Sequence, residues 1–106
     1  MPGSVKIGPF QYQVVAEPAG HMFAEKDMGT RLDGRGSASE QTIHVHPQQA
    51  EMYQRSTMIH EILHQVFVVA GTGLDTEDEE RICHALEGGL LGVLRENPDL
   101  VAWLTA

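Results

Sequence analysis

The sequence is poor in cysteine, in basic residues and in long apolar runs. Its single cysteine, Cys83, excludes an intramolecular disulfide and favours a reducing compartment. Only 7 Lys and Arg stand against 15 Asp and Glu, and the net charge of −8 argues against binding to nucleic acid or to an anionic membrane surface. No run approaches the roughly 18 apolar residues of a membrane span, and the first residues lack the apolar part of a signal peptide. We therefore expect a cytoplasmic protein.

Length and periodicity predict one small α+β domain over residues 1–106. The apolar fraction of 42% supplies one small core, to which a bound metal can add stability. Alternating patterns predict strands from about Phe10 to Ala16 and over Glu40–His46. Glu17–Gly20 breaks the first strand, Gly34–Ser37 is typical of a turn, and the weakly periodic stretch between them could hold a short irregular strand.

Helical periodicity predicts a helical second half. The first helix runs from about Gln49 to Ala70 and is capped by Gly71. A second helix runs to about Arg95, with Thr76 at its N-cap and Glu79 completing a capping box. A short helix follows, for which Asn97 is the cap and Pro98 the first residue. The apolar stripe predicted for the first helix consists of Met52, Ile59, Leu63, Val66 and Ala70, widened by Met58, Ile62 and Val69.

The first helix contains the motif His-Glu-x-x-His, formed by His60, Glu61 and His64. Residues four apart share one face of a helix, so that both imidazoles can bind a single Zn²⁺ and leave its other positions open. Glu61, about 100° round the helix, can reach a water on the metal without binding the metal itself. The same five residues also arise by coincidence on solvated helices. The apolar residues around the motif favour the metal site, because buried polar side chains need partners.

A catalytic zinc site needs a third protein ligand. The candidates on the second helix are Glu77, Glu79, Glu80, His84 and Glu87. Helical geometry places Glu80, Glu79 and Glu87 toward the core, His84 just outside the apolar arc and Glu77 on the outer side. Glu79 also suits the capping box with Thr76, so we predict Glu80 as the ligand. His44 and His46 have the spacing of a metal pair on a strand, but the polar face of a half-buried strand explains them better.

Two stretches resemble known metallopeptidases. Thr57–Val66 fits the extended signature of zincins at each position. Glu80–Leu86, followed by Leu90 and Leu91, looks like the Glu-bearing helix of small bacterial and phage zinc peptidases of the ImmA/IrrE-like type. The resemblance covers roughly Glu40 to Leu104. The chain departs from that family in having only 15 residues between His64 and Glu80, which is shorter than typical.

The resemblance implies a small zincin-like domain of the gluzincin type, with short antiparallel strands packed on the His-Glu-x-x-His helix and a Glu-bearing helix after it. It implies Zn²⁺ held by His60, His64 and Glu80, Glu61 as general base, and a peptide or protein substrate. His84 would then orient a ligand or stabilise the oxyanion, and a plain surface histidine of the helix is an equally good interpretation of it. The strand before the helix would lie along the cleft and let His44 and His46 line it.

Two other functions stay open. A zincin-like protein of this size could bind zinc without peptidase activity and serve a structural or regulatory role, for example in a phage particle. The chain could also be a metal-free helical interaction module. Metal bound to the purified protein would exclude the metal-free interaction module. Loss of peptide cleavage on changing Glu61 would then distinguish the enzyme from a zinc protein without activity.

Overall fold

The computed structural model describes residues 1–16 and 34–106, which form a four-stranded sheet and three helices. The α+β prediction is confirmed. The elements are β1 (Ser4–Ile7), β2 (Phe10–Ala16), β3 (Gly34–Ser37), β4 (Thr42–Val45), α1 (Glu51–Ala70), α2 (Thr76–Glu96) and α3 (Pro98–Leu104). The predicted break at 17–20 and most of the weakly periodic stretch after it lie outside the described residues. None of the described helices is long and apolar enough to cross a membrane.

The sheet is mixed, so the prediction of antiparallel strands is wrong for its central pair. The strand order is β1-β2-β4-β3; β2 runs parallel to β4, and the two outer pairs are antiparallel. Parallel pairing needs a crossover of a dozen or more residues, and the chain between Ala16 and Thr42 is long enough to provide one. β3 lies at the edge of the sheet, beside α1.

Two strands were not predicted. β1 precedes the first predicted strand, which we expected to begin at about Phe10, and β3 replaces the turn predicted at Gly34–Ser37. The glycines of β3 serve close packing, because a Cβ on Gly34 would lie 2.5 Å from Thr57 Cγ2 and one on Gly36 would lie 2.5 Å from Gln65 Nε2. β3 therefore approaches α1 more closely than a strand with side chains at these positions could.

The core lies between the sheet and α1. Ile7, Tyr12, Ile43 and Val45 are its buried members, and Met58, Ile62 and Val69 of α1 pack against them. Among the described elements, α2 contacts only α1 and α3, and α3 contacts only α2. The helices are therefore stacked outward from the sheet, and α1 is the middle layer between the sheet and α2.

The apolar stripe predicted for α1 is only partly correct. Met52 and Val66 are exposed, whereas the buried residues of this helix are Thr57, His60, Glu61 and Gln65. These polar residues can be buried because partners surround them: Thr57 Oγ1 donates to Gln49 Oε1 at 2.8 Å, and Tyr12 Oη donates to Gln65 Oε1 at 3.0 Å. The most buried face of α1 is thus polar.

The helix ends confirm the cap predicted at Gly71 and correct the one predicted at Thr76, and they place Asn97 at the N-cap of α3 without a capping hydrogen bond from its side chain. Gly71 ends α1 with φ +66° and donates to Phe67 O, and Pro98 is the first residue of α3, after Asn97. The N-cap of α2, however, is Asp75 and not Thr76. The Asp75 carboxylate accepts from the Asp78 amide at 2.8 Å, and its backbone is extended as an N-cap requires.

β4 is shorter than predicted. It begins at Thr42 because Gln41 adopts φ +52°, which interrupts the extended backbone, and it ends before His46. His46 was predicted on the polar face of the strand. It is instead completely buried just beyond the strand end, and its Nδ1 accepts from the Gln48 amide at 3.1 Å.

Candidate metal centre

α1 supplies three of the predicted site residues. His60 and Glu61 are almost fully buried, and His64 is partly buried one turn further along. The Nε2 atoms of His60 and His64 lie 3.2 Å apart, with the rings in an edge-to-face arrangement. The spacing of four residues therefore brings both nitrogens to one point, as the sequence predicted.

α2 brings Glu80 to the same point. Its Oε1 lies 2.9 Å from His60 Nε2, and its Oε2 lies 2.7 Å from His64 Nε2. The three residues predicted as ligands are thus brought together by the packing of α2 on α1. The connection between the helices, although short, is long enough for this register.

His84 also reaches this point. Sequence geometry placed it just outside the apolar arc of α2, and its side chain is exposed. One turn beyond Glu80, its Nε2 nevertheless lies 3.1 Å from Glu80 Oε1, and its ring centroid is 4.7 Å from that of His60. His60, Glu80 and His84 offer ligand atoms that all lie within 4.8 Å of one another. Glu80 therefore belongs to two overlapping groups, one completed by His64 and one by His84.

Two further carboxylates contact the outer nitrogens of the histidines. Glu79 Oε1 lies 2.7 Å from His64 Nδ1, and Glu87 Oε1 lies 2.9 Å from His84 Nδ1. The expectation that Glu79 serves the helix cap is therefore wrong, because Asp75 takes that role and leaves Glu79 free to contact His64. A carboxylate on Nδ1 fixes the proton there and leaves Nε2 available to a metal.

Glu61 lies in the same cluster but stands back from it. Its Oε2 is 4.0 Å from His60 Nε2, and its side chain is 11% exposed. Burial raises the pKa of Glu61 to about 7, against the opposing effect of His64. A carboxyl group with a pKa near neutrality can both accept and return a proton at physiological pH, as a general base must.

The surroundings of His60, His64 and Glu80 shift their pKa values in different directions. Burial lowers the pKa of His60, which favours the neutral imidazole that binds metal. For His64, burial acts in the same direction, but hydrogen bonds with Glu79 and Glu80 outweigh it and raise the pKa. For Glu80, burial acts to raise the pKa, whereas His60 and then His64 lower it overall. Because a metal binds the deprotonated nitrogen, metal binding to His64 has to compete with a proton that these carboxylates favour.

Neither Cys83 nor the strand histidines join the cluster. Cys83 is completely buried on α2, and burial raises the pKa of its thiol to about 11, so that it packs as a small apolar group. His44 and His46 are not among the described residues that line the cleft. The expectation that they line it is wrong because His44 lies on the sheet face opposite Ile43, which faces the core, and His46 is buried.

The cluster lies in a cleft of about 490 Å³ between β3, α1 and α2. Its described lining residues are Gly34, Arg35, Gly36, His60, Glu61, His64, Gln65, Val68, Glu79 and Glu80. A second hollow, of about 390 Å³, lies against α1 near Met1 and Leu91 and has no histidine among its lining residues. The cleft that holds the cluster is therefore the candidate functional site.

The residues of the cluster fit a divalent metal. Two ligands at the usual zinc distances of about 2.0–2.1 Å lie about 3.3 Å apart in a tetrahedral site. The measured separations between His60 Nε2, His64 Nε2 and the Glu80 oxygens are 3.2, 2.9 and 2.7 Å. Imidazole and carboxylate are also the ligand types that zinc takes together. The donor types therefore suit Zn²⁺, whereas the two contacts with Glu80 have the length of direct hydrogen bonds and would have to lengthen slightly around a metal.

Comparisons with known proteins give no relative from which a function could be transferred. No family model, curated protein or solved structure is similar enough to this chain to match it.

Proposed function

We propose that this protein is a zinc-dependent metallopeptidase with a zincin-like fold. The observation that carries the proposal is the convergence of His60 Nε2, His64 Nε2 and the Glu80 carboxylate at separations of 3.2 Å or less, with the buried Glu61 beside them. In this proposal the three residues hold Zn²⁺ and Glu61 is the general base. When bound, the metal polarises the carbonyl of the substrate and lowers the pKa of a water molecule.

Glu61 carries the proton transfers. It accepts the proton of the attacking water and passes it to the amine that leaves when the peptide bond breaks. Burial raises the pKa of Glu61 to about 7 in the metal-free protein, and a bound cation would lower it and favour the carboxylate that accepts the proton. Glu79 keeps His64 in the tautomer that presents Nε2.

The position of β3 supports a peptide as substrate. Among the described residues it is one of the two edge strands of the sheet, paired on one side with β4, and its residues 34–36 line the cleft beside His60 and Glu61. An extended peptide can bind to such an edge as an additional strand through main-chain hydrogen bonds. The closeness of Gly34 and Gly36 to α1 brings that edge next to the cluster.

A zinc protein without peptidase activity is the second candidate. It is favoured by the number of possible ligands, because His84 Nε2 also lies within hydrogen-bond distance of Glu80, at 3.1 Å. A site with four protein ligands is typical of structural zinc, and a site with three ligands and a water is typical of catalytic zinc. In either case the purified protein contains one zinc per chain, whereas an interaction module contains none.

The test combines metal analysis with activity on a pool of fluorogenic peptides. We expect one zinc per chain in the wild type and in Glu61→Gln, and no tightly bound zinc in His60→Ala or His64→Ala. Peptide cleavage should fall at least about 100-fold in Glu61→Gln, because a positioned base contributes about 10²–10⁴-fold. Glu77→Gln is the matched control, since Glu77 lies on the exposed side of α2 and contacts Arg81.

Three outcomes separate the candidates. Zinc without cleavage in the wild type favours the second candidate. Equal cleavage by the wild type and Glu61→Gln refutes the role of Glu61. A wild type without zinc refutes both zinc proposals.

A further inference from the structure

The three histidines of the cluster share one contact, with the carboxylate of Glu80. Each presents Nε2 to the Glu80 carboxylate, at 2.9 Å for His60, 2.7 Å for His64 and 3.1 Å for His84. His64 Nδ1 and His84 Nδ1 each contact a second carboxylate at hydrogen-bond distance, Glu79 at 2.7 Å and Glu87 at 2.9 Å. His60 Nδ1 lies 3.6 Å from Glu87 and forms no hydrogen bond within the described residues. In both of its contacts His84 therefore resembles His64, the second histidine of the motif.

The contact between His84 and Glu87 determines which nitrogen is available. Glu87 Oε1 lies 2.9 Å from His84 Nδ1, and the same carboxylate accepts a hydrogen bond from Ser56 Oγ at 3.2 Å. Ser56 is on α1, so Glu87 is fixed by both helices. A carboxylate held in this way keeps the proton on Nδ1 and directs the Nε2 lone pair inward, an arrangement typical of metal-bound histidine.

We infer that His84 is a fourth protein ligand, which closes the resting zinc site and must leave it before a water can take its place. The inference rests on the proposed zinc site of His60, His64 and Glu80. It assigns His84 a place on the metal itself, beyond the supporting role that the sequence suggested. With four protein ligands the resting site resembles a structural one.

The exposure of the side chains indicates which ligand can leave. The His60 side chain is 9% exposed and that of His64 is 17% exposed, whereas that of His84 is 65% exposed. An exposed side chain changes rotamer on the ps–ns timescale without displacing packed neighbours, whereas a buried one cannot. A substrate entering the cleft can therefore displace His84 and leave the motif histidines in place. The metal would then have four protein ligands in the resting protein and three when substrate is bound.

The test uses the cobalt-substituted protein, because the visible spectrum of Co²⁺ changes when an added anion binds to it. We expect azide to leave the wild-type spectrum unchanged and to produce a new spectrum in His84→Ala, whose fourth position is open. The zinc affinity of His84→Ala should fall by at least about tenfold. Glu77→Ala, on the same helix but outside the cluster, should behave as the wild type.

A second measurement needs no variant. In the zinc-loaded wild type with ¹⁵N-labelled histidine, long-range ¹H–¹⁵N spectra distinguish a metal-bound Nε2 from a protonated one. We expect three of the six histidines to show a metal-bound Nε2. If only two do so, and azide binds the wild type as tightly as His84→Ala, the inference is overturned and the proposed three-ligand peptidase stands. If neither protein binds cobalt stoichiometrically, both fail.

Discussion

α1 and α2 contribute to one cluster in opposite ways. α1 places its residues on a buried face between the sheet and α2, where the side chains of His60 and Glu61 are only 9% and 11% exposed. α2 contributes residues from its outer margin, where the side chains of Glu80 and His84 are 45% and 65% exposed. The first helix therefore provides shielded groups, whereas the second provides the shielded carboxylates of Glu79 and Glu87 together with two groups that solvent or a ligand can reach.

The difference follows from what holds each helix. α1 is packed on one side by the sheet, and its buried polar side chains are hydrogen-bonded to residues of other elements, as Gln65 is to Tyr12. α2 contacts no described strand and is held mainly by α1. The groups that α2 contributes are positioned largely by contacts within the cluster itself. A metal at that point would therefore link the two helices and stabilise the position of α2.

The largest effect that we predict within this comparison comes from removing the α2 carboxylate. Glu80→Ala should weaken zinc binding by about 10³-fold or more, because it removes an oxygen ligand on which three imidazoles converge. Glu79→Ala, one residue earlier, should weaken it by only about 10–100-fold, because Glu79 orients His64 and does not bind the metal. Competition with a chromophoric chelator measures both affinities.

This pair of variants also tests the register of α2. If Glu79→Ala lost zinc and Glu80→Ala kept it, the roles of the two residues would be exchanged. Glu77→Ala, on the exposed side of the same turn, controls for the loss of a negative charge near the helix N-terminus.

The second prediction concerns the effect of the buried Glu61 on the stability of the protein at different pH values. Its pKa is raised from 4.5 to about 7 in the folded protein, so between these values the unfolded chain loses the proton while the folded protein keeps it. The free energy of unfolding therefore decreases from pH 4.5 to pH 7, by about 3 kcal/mol in total, since one pKa unit corresponds to 1.36 kcal/mol. In Glu61→Gln the side chain does not titrate, so this decrease in the free energy of unfolding should be absent. Urea unfolding of both metal-free proteins should show a stability difference near pH 8 that exceeds the difference at pH 4.5 by about that amount.

Zinc provides the control for this prediction. A cation beside Glu61 favours the carboxylate and lowers its pKa, so the extra stability of Glu61→Gln at pH 8 should shrink when both proteins are loaded with zinc. His64, Glu80, Glu87 and His84 also act on Glu61, but they are present in both proteins. A difference between the metal-free proteins that did not change with pH would show that Glu61 is not protonated in the folded state.

The same comparison explains which parts of the molecule could be predicted from the sequence. The residues of α1 were predictable because helical spacing alone brings His60 and His64 to one face. Glu80 was predictable in part, because the apolar arc of α2 indicates which side meets α1. The role of Glu79 was missed because a capping residue was placed one position late, at Thr76. Its inward direction on the helical wheel was the signal that could have identified it.

The sheet was harder to predict, because its contacts join residues distant in the sequence. Gly34 and Gly36 have the composition of a turn, and only the proximity of Thr57 and Gln65 shows that they allow a strand to approach a helix. The parallel pairing of β2 with β4 likewise depends on a crossover that local periodicity does not reveal. Local patterns thus predicted which residues converge in the cleft but not the edge strand beside them.

The smallest effect that we predict is at the start of α2. Asp75→Ala removes the carboxylate that accepts from the Asp78 amide, and it should cost about 1 kcal/mol of stability in the metal-free protein. For a domain of this size that corresponds to a lower Tm by about 4–8 °C. Thr76→Ala, at the position first predicted as the cap, should change the Tm very little, because Thr76 is already the first helical residue.

Hydrogen exchange should show faster loss of the amide protons of 77–79 in Asp75→Ala only. Because this turn carries Glu79, zinc should bind slightly more weakly to Asp75→Ala than to Thr76→Ala. If Thr76→Ala lowered the Tm more than Asp75→Ala did, Thr76 would be the N-cap. Glu79 would then be expected to serve the capping box and not to orient His64.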